Sequence, residues 1–556
     1  MHPDAAFDAA GAAGQQGSDH ILRIVVRFAI FTALAAMAVM AFTRNVNWDE
    51  FYFLSHVHAH LDGRLDRPLQ TFFVHGFGWL PMVSGHEVDQ ITAARLVMLA
   101  FFVGTCVSIH RIAAKLTDVS SADMAVLAFV TAGFAIPHGG SFRADPMAAS
   151  LLMAALALMM TTRMGLWQSA AVAVLSALAL LVTVKSALYL PVFLAALLWR
   201  WPERGVVLRC LLAGVSALAL AGALFVWHST GIVAVQGASD NLSEAARVTL
   251  GGSGLLPRLP EVSLWALFSI GGLLLAVAGI VLAPPRRLQI VLVLFAAPLL
   301  TVVLYRNAFP YFFPFAVPAL MVCVALGAQA LKGSLIWKLG LVLMLAGGAT
   351  QTLRAYAEDN AAQRTTIAEV HRLFPQSVSY IDQNGMMASF ERQGFFMSTW
   401  GIAVYRAAGK PVFGKLIAEH QPPLLLANRD ELYLAMRPER DSGETLGLLA
   451  DDAEVLRASY VHHAGVIWLA GQESVLNTGQ ATMNLPFAGR YRLEAEGPVT
   501  VDGTEMSPDE VRRFDGGPLA VTAPEGTKVR LIWNTAPGLA PKQLPETDLY
   551  AGFWRL

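Results

Sequence analysis

Long apolar segments occupy most of the first 350 residues of this 556-residue chain. A helix that crosses the hydrocarbon core of a bilayer needs about 20 apolar residues, and a run of that length is typical of a membrane span. The hydrophobic fraction of 55% and the mean hydropathy of +0.51 agree with such a composition. The sequence therefore predicts a polytopic α-helical membrane protein with about 11 transmembrane helices. The apolar segments lie at 21–42, 88–110, 121–137, 144–162, 165–183, 186–200, 206–227, 263–283, 287–305, 309–331 and 335–350.

The two ends of the chain differ in composition from this apolar part. Residues 1–20 are rich in Gly, Ala and Gln and are predicted to be disordered, which leaves 21–350 as the transmembrane domain. Short β-like runs between Gly and Pro predict a soluble α/β domain over 355–475. Alternation with period two predicts a β domain over 480–556, because half-buried strands alternate in this way.

Basic residues are concentrated in alternate short loops, and such loops face the cytoplasm in membrane proteins. With a cytoplasmic N-terminus, the loop at 43–87 and the chain after 350 face outward. The sequence therefore predicts a multi-pass protein of a bacterial inner membrane with a periplasmic C-terminal domain. The net charge of −1 gives no sign of a nucleic-acid partner. The residues at the predicted cytoplasmic ends are Arg23, Arg27, Arg111, Lys115, Arg163, Arg200, Arg204, Arg209, Arg286, Arg287, Lys332 and Lys338.

The first outward loop, 43–87, begins with two adjacent carboxylates, Asp49 and Glu50, in "NVNWDEFYFLSHVHAH". A helix that starts after Asp49 places Tyr52 and His56 on one face and apolar side chains on the other, which predicts an amphipathic helix on the outer membrane surface. Asp49 is well suited to cap such a helix, and Glu50 is an acid that the helix dipole favours in the first turn. Both acids are also suited to chemistry, and a capping residue is a well-fixed one.

Three cations lie in outward loops, where the distribution of basic residues disfavours them. Arg143 follows "PHGGSF", Lys185 lies in "LLVTVKSALYLP" and Arg306 lies in "VVLYRNAFPYFFP". Each one alone could reach the interface as an anchor. Together they lie on the same membrane face as Asp49 and Glu50, and ionisable residues at membrane depth indicate function. Arginine in particular binds phosphate through planar bidentate hydrogen bonds.

The histidines of the outward loops do not predict a metal site. His56 and His60 share a helix face, but the sequence offers no nearby third ligand, and the three cysteines all lie in apolar runs. A divalent metal is therefore without support in the sequence, and no cofactor is predicted. His75 and His138 are interpreted as polar lining residues, and Asp145 as an N-cap before Pro146.

These segments resemble the GT-C superfamily of integral-membrane glycosyltransferases, in particular its protein O-mannosyltransferase and lipid A aminoarabinose transferase branch. The early acidic pair is followed by "LDGRLDRPLQTFFV", "SFRADPMAASLLMAALAL" is similar to an Arg-x-Asp-Pro opening of the fourth span, and "LYRNAFPYFFPFAVPAL" is similar to an Arg/Tyr/Pro-rich late loop. The resemblance covers about residues 21–350. Where the aminoarabinose transferases have Lys-Pro-Pro, this chain has Asp66, Arg67 and Pro68, so the donor sugar stays open.

The resemblance implies a membrane enzyme that transfers a sugar from a polyprenyl-phosphate donor to a hydroxyl of a glycan, lipid or protein acceptor. Asp49 would then be the general base and Glu50 would position the sugar or tune Asp49, while Arg143, Lys185 and Arg306 would hold the donor phosphate. A single displacement would invert the anomeric centre. Further candidates for positioning the substrate are Trp48, Tyr52, His75, His138, Asp145, Tyr305 and Tyr311.

Two other functions fit a polytopic protein with outward cations. A transporter or flippase of lipid-linked sugars would have repeated halves with interrupted spans at corresponding places, and the sequence shows no internal repeat. A non-catalytic scaffold of the cell envelope would have its function in the tail. It predicts that a change of Asp49 has no effect.

Overall fold

The structure is a computed structural model that describes residues 3–232, 255–440, 447–536, 544–546 and 549–550. In the described part, the first 373 residues are helical apart from their connections. The α-helices are α1 (Pro3–Thr43), α2 (Trp48–Leu61), α3 (Val74–Phe77), α4 (Glu87–Leu116), α5 (Val119–Val130), α6 (Ala135–His138), α7 (Ala144–Thr161), α8 (Leu166–Val182), α9 (Leu190–Arg200), α10 (Arg204–Thr230), α11 (Leu259–Leu282), α12 (Arg286–Phe295), α13 (Ala297–Leu300), α14 (Phe313–Ala316), α15 (Pro318–Ala330), α16 (Leu335–Tyr356) and α17 (Ala361–Leu373). Single 3-10 turns lie at Leu80–Met82, Val184–Tyr189, Thr301–Val303 and Pro310–Phe312.

The prediction of a polytopic helical membrane protein is confirmed. Among the described residues, 6 helices are long and apolar enough to cross a membrane, or up to 8 if each of two bent helix pairs is one span. The two pairs bend by 48° at Ala296 and by 60° at Val317. The six ranges are His20–Thr43, Glu87–Leu116, Ala144–Thr161, Arg204–Thr230, Leu259–Leu282 and Leu335–Leu373, the last of which runs over α16 and α17.

The number of long spans is smaller than the eleven apolar segments because three segments form shorter helices. Segment 121–137 contains α5, which has 12 residues and lies almost wholly buried among other helices. An apolar run of 10–14 residues is typical of a buried core helix rather than a span. Segments 165–183 and 186–200 contain α8, with 17 residues, and α9, with 11. Hydropathy measures how apolar a segment is, and it gives no information on where the helix in that segment begins or ends.

Two glycines set the close approach of α11 and α15. A Cβ atom added at Gly279 would lie 2.0 Å from the carbonyl oxygen of Cys323, and one added at Gly327 would lie 1.9 Å from that of Leu275. These distances are far below van der Waals contact, so neither position accepts a side chain without separating the helices. Small residues at a helix interface allow such contact between membrane helices.

The C-terminal part is a soluble α/β and β structure, as predicted. Its helices are α18 (Thr399–Ala408), α19 (Phe413–His420), α20 (Asp430–Met436) and α21 (Ala450–Ser459), with a 3-10 turn at Pro438–Arg440. Its strands are β1 (Ser379–Ile381), β2 (Glu391–Gln393), β3 (Leu424–Leu426), β4 (Tyr460–Ala464), β5 (Ile467–Leu476), β6 (Gln480–Leu485), β7 (Gly489–Glu494), β8 (Val499–Val501), β9 (Thr504–Met506), β10 (Val511–Phe514), β11 (Gly517–Thr522) and β12 (Thr527–Trp533).

One large sheet joins the two halves of this soluble part. Its strand order is β10-β7-β12-β5-β3-β1-β2, with β4 beside β5, and β6-β11-β8-β9 form a second sheet. β1 pairs in parallel with β2 and β3, whereas β5 is antiparallel to β3, β4 and β12. The predicted boundary between 475 and 480 therefore falls at the end of a strand that both halves share.

The loop over 43–87 lies between the membrane helices and the soluble part. Gln363 of α17 accepts a hydrogen bond from the backbone of Val46 at 2.8 Å. The ring of Tyr52 stacks on Phe396 with the centroids 4.0 Å apart. The predicted helix α2 is present, and the soluble part covers the Tyr52 face that the sequence analysis placed toward water.

Candidate active site

The N-cap of α2 is Asn47, and the predicted acidic pair, Asp49 and Glu50, lies in the first turn that follows it. The Asn47 side chain accepts a hydrogen bond from the backbone of Asp49 at 3.0 Å, and the Glu50 carboxylate accepts one from the backbone of Asn47 at 3.0 Å. This reciprocal capping box satisfies two backbone donors at the helix start. The interpretation of Asp49 as the N-cap is therefore wrong, because Asn47 already holds that position.

Glu50 is fully buried and serves as a structural centre of the site. Arg95 of α4 donates to both of its oxygens, at 2.8 and 2.6 Å, and the backbone of Phe142 donates at 2.8 Å. Burial alone would raise the pKa of Glu50, but Arg95 and the backbone donors at Phe142 and Asn47 lower it below the ordinary value. Glu50 therefore stays ionised and ties α2 to the segment that carries Arg143.

Asp49, Arg143, Asp145 and Lys185 form one continuous chain of alternating charges. The Arg143 guanidinium forms an ion pair with Asp49, and its Nε lies 3.7 Å from Asp145. The Lys185 ammonium in turn contacts Asp145. All four side chains are mostly withdrawn from solvent, with 16% of Asp49 and 15% of Lys185 exposed.

The two acids of this charged group, Asp49 and Asp145, each lie in the first turn of a helix, and the tertiary structure brings the two helix starts together. Asp145 lies in the first turn of α7, where Arg143 is the residue before the helix and provides no side-chain cap. The interpretation of Asp145 as an N-cap is therefore wrong. Lys185 is the second residue of a 3-10 turn that Thr183 caps, and the Thr183 hydroxyl donates to Gln70 of the loop over 43–87 at 3.0 Å.

The aromatic ring of Tyr311 faces the two cations of the site, Arg143 and Lys185. The Arg143 guanidinium lies 3.4 Å from the centre of the Tyr311 ring, and the Lys185 ammonium lies 5.8 Å from the same centre. Burial disfavours the charge of Arg143, but Asp49, Tyr311 and Asp145 raise its pKa above the ordinary value. The cation is therefore permanent. Burial, together with the charge of Asp145, raises the pKa of Tyr305, whose ring lies 4.8 Å from that of Phe312.

Arg306 lies in the loop after α13 and is partly exposed. Its backbone carbonyl accepts a hydrogen bond from Arg258 at 3.2 Å, and the Arg258 guanidinium lies 3.9 Å from the centre of the Phe309 ring. The nearby charge of Arg258 adds to burial in lowering the pKa of Arg306. The described contacts thus join Arg306 to a second cation, Arg258, which the sequence analysis missed.

The soluble part supplies the opposite wall of the site, beside α2. Arg429 lies 4.1 Å above the Trp48 ring, and Arg67 donates to the Tyr52 hydroxyl at 2.9 Å. The His56 ring lies 4.3 Å from that of Tyr52, and burial lowers the pKa of His56 to about 3. Two arginines, aromatic rings and a neutral His56 therefore line the α2 side of the site.

The remaining predicted histidines lie in other contacts. His75 pairs with His228 of α10 at 2.9 Å, and its ring lies 4.7 Å from that of His60. His58 pairs with Gln90 at 2.8 Å. His138 is buried, and burial together with nearby arginines lowers its pKa well below the ordinary value. Among the described residues, no group of three His, Cys, Asp or Glu side chains could hold a metal ion.

Arg95, Arg429 and Phe396 are site residues that the sequence analysis did not find. Arg95 carries a recognisable signal, since it is a lone cation inside the apolar segment 88–110. Arg429 and Phe396 carry none, because they reach α2 only through the docking of the soluble part.

Apolar helices, a covered loop over 43–87 and a soluble C-terminal part define a multi-pass membrane protein. The structure is similar to that of ArnT from Cupriavidus metallidurans in the apo state, with a TM-score of 0.51 and 14% sequence identity over 74% of this chain and 94% of that chain. The same protein bound to undecaprenyl phosphate matches with a TM-score of 0.52, at the same identity and the same shares. The oligosaccharyltransferase of Archaeoglobus fulgidus matches with a TM-score of 0.47 and 10% identity, over 86% of this chain and 74% of that one.

The resemblance to the GT-C superfamily is thus confirmed at the level of the fold. No protein-family model matches the sequence, and no curated protein matches it either.

Proposed function

We propose that this protein is a glycosyltransferase that moves a sugar from a polyprenyl-phosphate carrier to a hydroxyl of a glycan, lipid or protein acceptor. The observation that carries the proposal is the buried chain from Asp49 through Arg143 and Asp145 to Lys185. It places a carboxylate beside two cations at the ends of apolar helices, where a lipid phosphate can approach.

Each part of this chain has a chemical task in the proposed reaction. Asp49 accepts the proton of the acceptor hydroxyl while that oxygen attacks the anomeric carbon. The bond from that carbon to the phosphate oxygen breaks, and the electron pair leaves with the lipid phosphate. Arg143 and Lys185 stabilise the charge that develops on this phosphate. One displacement of this kind inverts the anomeric centre.

Arg143 and Lys185 are held in fixed positions, and this makes them effective in stabilising the charge of the leaving phosphate. Asp145 contacts both of them, and Tyr311 lies beneath Arg143. Preorganised charges need no reorganisation when the leaving group develops its charge, and in a site of low dielectric they act more strongly than in water. Glu50 is a positioning residue here, because all its described bonds go to protein donors.

The solved ArnT structure with undecaprenyl phosphate supports a polyprenyl phosphate as the carrier. The distribution of basic residues supports an N-terminus in the cytoplasm and an active site on the outer face of a bacterial inner membrane. Asp66, Arg67 and Pro68 leave the sugar itself open.

The test is an assay of the detergent-purified protein with a panel of polyprenyl-phosphate sugars and extracted envelope acceptors. Transfer of one sugar with release of the lipid phosphate is the expected result. Movement of the intact lipid-linked sugar across proteoliposomes without transfer would instead identify a flippase and contradict the proposal.

A further inference from the structure

A groove of about 550 Å³ lies on the soluble part, between α21 and the main sheet. Arg437 follows α20, Arg457 lies on α21, and Lys528 and Arg530 lie on β12. Among the described residues that line the groove, these four cations face one carboxylate, Glu473. The groove is therefore basic on a chain whose net charge is −1.

Glu473, the one carboxylate among the described lining residues, forms ion pairs with cations on the strand side of the groove. Glu473 lies 3.4 Å from the Lys528 ammonium and 3.2 Å from Nε of Arg530. Arg530 also pairs with Glu494 at 2.7 Å. The charges on β12 are thus balanced within the protein.

On the helix side of the groove, the described residues form no ion pairs with the two arginines. Over the described residues, no ion pair involves Arg437 or Arg457. Arg457 donates to the backbone carbonyl of Ala435 at 2.6 Å, and the Arg437 guanidinium lies 5.5 Å from the centre of the Trp468 ring. These contacts orient two guanidinium groups, and the described part of the chain brings no carboxylate into an ion pair with either of them.

His463 also lines this groove, and its side chain carries a buried polar atom. Its side chain is 9% exposed, and Nε2 has no hydrogen-bond partner among the described residues, with Glu369 3.9 Å away. A buried polar nitrogen without a partner costs free energy, and most such atoms in folded proteins are paired. The Nε2 atom is shielded from the groove and lies toward Glu369, so the charge open to a ligand is that of Arg437 and Arg457.

We propose that this groove binds an acidic saccharide, whose carboxylate or phosphate groups are held by Arg437 and Arg457. Guanidinium groups pair with both anions through planar bidentate hydrogen bonds. The volume lies in the range of organic ligand sites, about 300–1,000 Å³, and exceeds the need of a single inorganic ion. This inference rests on the proposed glycosyltransferase function, and it makes the acceptor an acidic glycan.

Calorimetric titration of the full chain in detergent tests this binding. The probes are penta-galacturonate, mannose 6-phosphate, inorganic phosphate and the neutral maltopentaose. We expect saturable binding of the carboxylate or the phosphate sugar, and the stronger of the two identifies the anionic group. Arg437→Gln should weaken that binding about tenfold, because hydrogen bonds to charged groups are among the stronger ones. Arg513→Gln, at an exposed arginine of β10, is the matched control and should bind as the wild type does.

Equal binding of the neutral saccharide, an unchanged affinity in Arg437→Gln, or binding of inorganic phosphate alone would overturn the inference. Arg457→Lys provides a second variant that keeps the charge and removes the bidentate geometry, and its thermal unfolding is compared with that of the wild type. Asp49→Asn should bind the acidic saccharide normally. Loss of transfer in that variant with intact binding separates the proposed function from this inference.

Discussion

Asp49 and Glu50 are neighbours in the chain, yet their carboxylates have different partners. Glu50 is enclosed by Arg95 and two backbone donors, whereas Asp49 contacts Arg143 at the start of the charged chain. The helical turn of α2 directs the two side chains to different sides, and this separates a structural acid from a candidate catalytic one.

Replacement of Asp49 tests its role as the base. Asp49→Asn should lower kcat by about 10²–10⁴-fold, which is the usual contribution of a general base. Asp62→Asn, at an exposed carboxylate paired with Arg64, is the control and should retain activity. Initial rates of sugar transfer provide the measurement. Full activity in Asp49→Asn would remove this residue from the chemistry.

Lys185 is expected to act on the donor. Lys185→Ala should raise the KM for the polyprenyl-phosphate sugar about tenfold or more, because it removes a charge-assisted contact to phosphate. The KM for the acceptor should change little. Lys338→Ala, at an exposed lysine of α16, serves as the control. Kinetics with each substrate varied in turn distinguish the two effects, and an equal rise of both KM values would argue against phosphate binding.

Glu50 should affect stability more than chemistry. Glu50→Ala leaves the buried Arg95 without its partner, and loss of one member of a buried pair costs about 3–5 kcal/mol. Asp66→Ala, at an exposed pair, should cost about 0–1 kcal/mol. Thermal unfolding in detergent measures both variants. A Glu50 variant as stable as the wild type would contradict the structural role.

The lowered pKa of Glu50 also determines the direction in which the stability of the protein changes with pH. A carboxyl group whose pKa is lowered by folding stabilises the protein fully above its unfolded value, near 4.5. This stabilisation is lost as the pH falls through the folded pKa, because the unfolded chain then binds the proton more readily. The wild type should therefore lose stability below this pH more steeply than Glu50→Gln.

Gly279 tests the close contact between α11 and α15. Gly279→Ala should destabilise the protein by about 1–3 kcal/mol, the usual cost of overpacking, because its Cβ would meet a backbone oxygen. Gly214→Ala in α10 is the matched control, since a Cβ there meets nothing within 4 Å. Detergent melting curves report the difference. Equal stability of the two variants would show that the helices separate without cost.

The sequence by itself determined the class of protein, a helix that starts near Asp49 and the cations Arg143 and Lys185 as members of one group. These features depend on local patterns: the length of apolar runs, the period of amphipathic helices and the asymmetry of basic loops. Arg143, Lys185 and Tyr311 were predicted for the site and do lie together.

Only the tertiary structure decided which acid is structural, because Arg95 meets Glu50 across 45 residues of chain. It also decided the cap of α2 and placed Arg429 and Phe396 beside the site. The physical reason is that hydropathy and charge are read along the chain, whereas the partner of a buried charge depends on which distant segments fold against it.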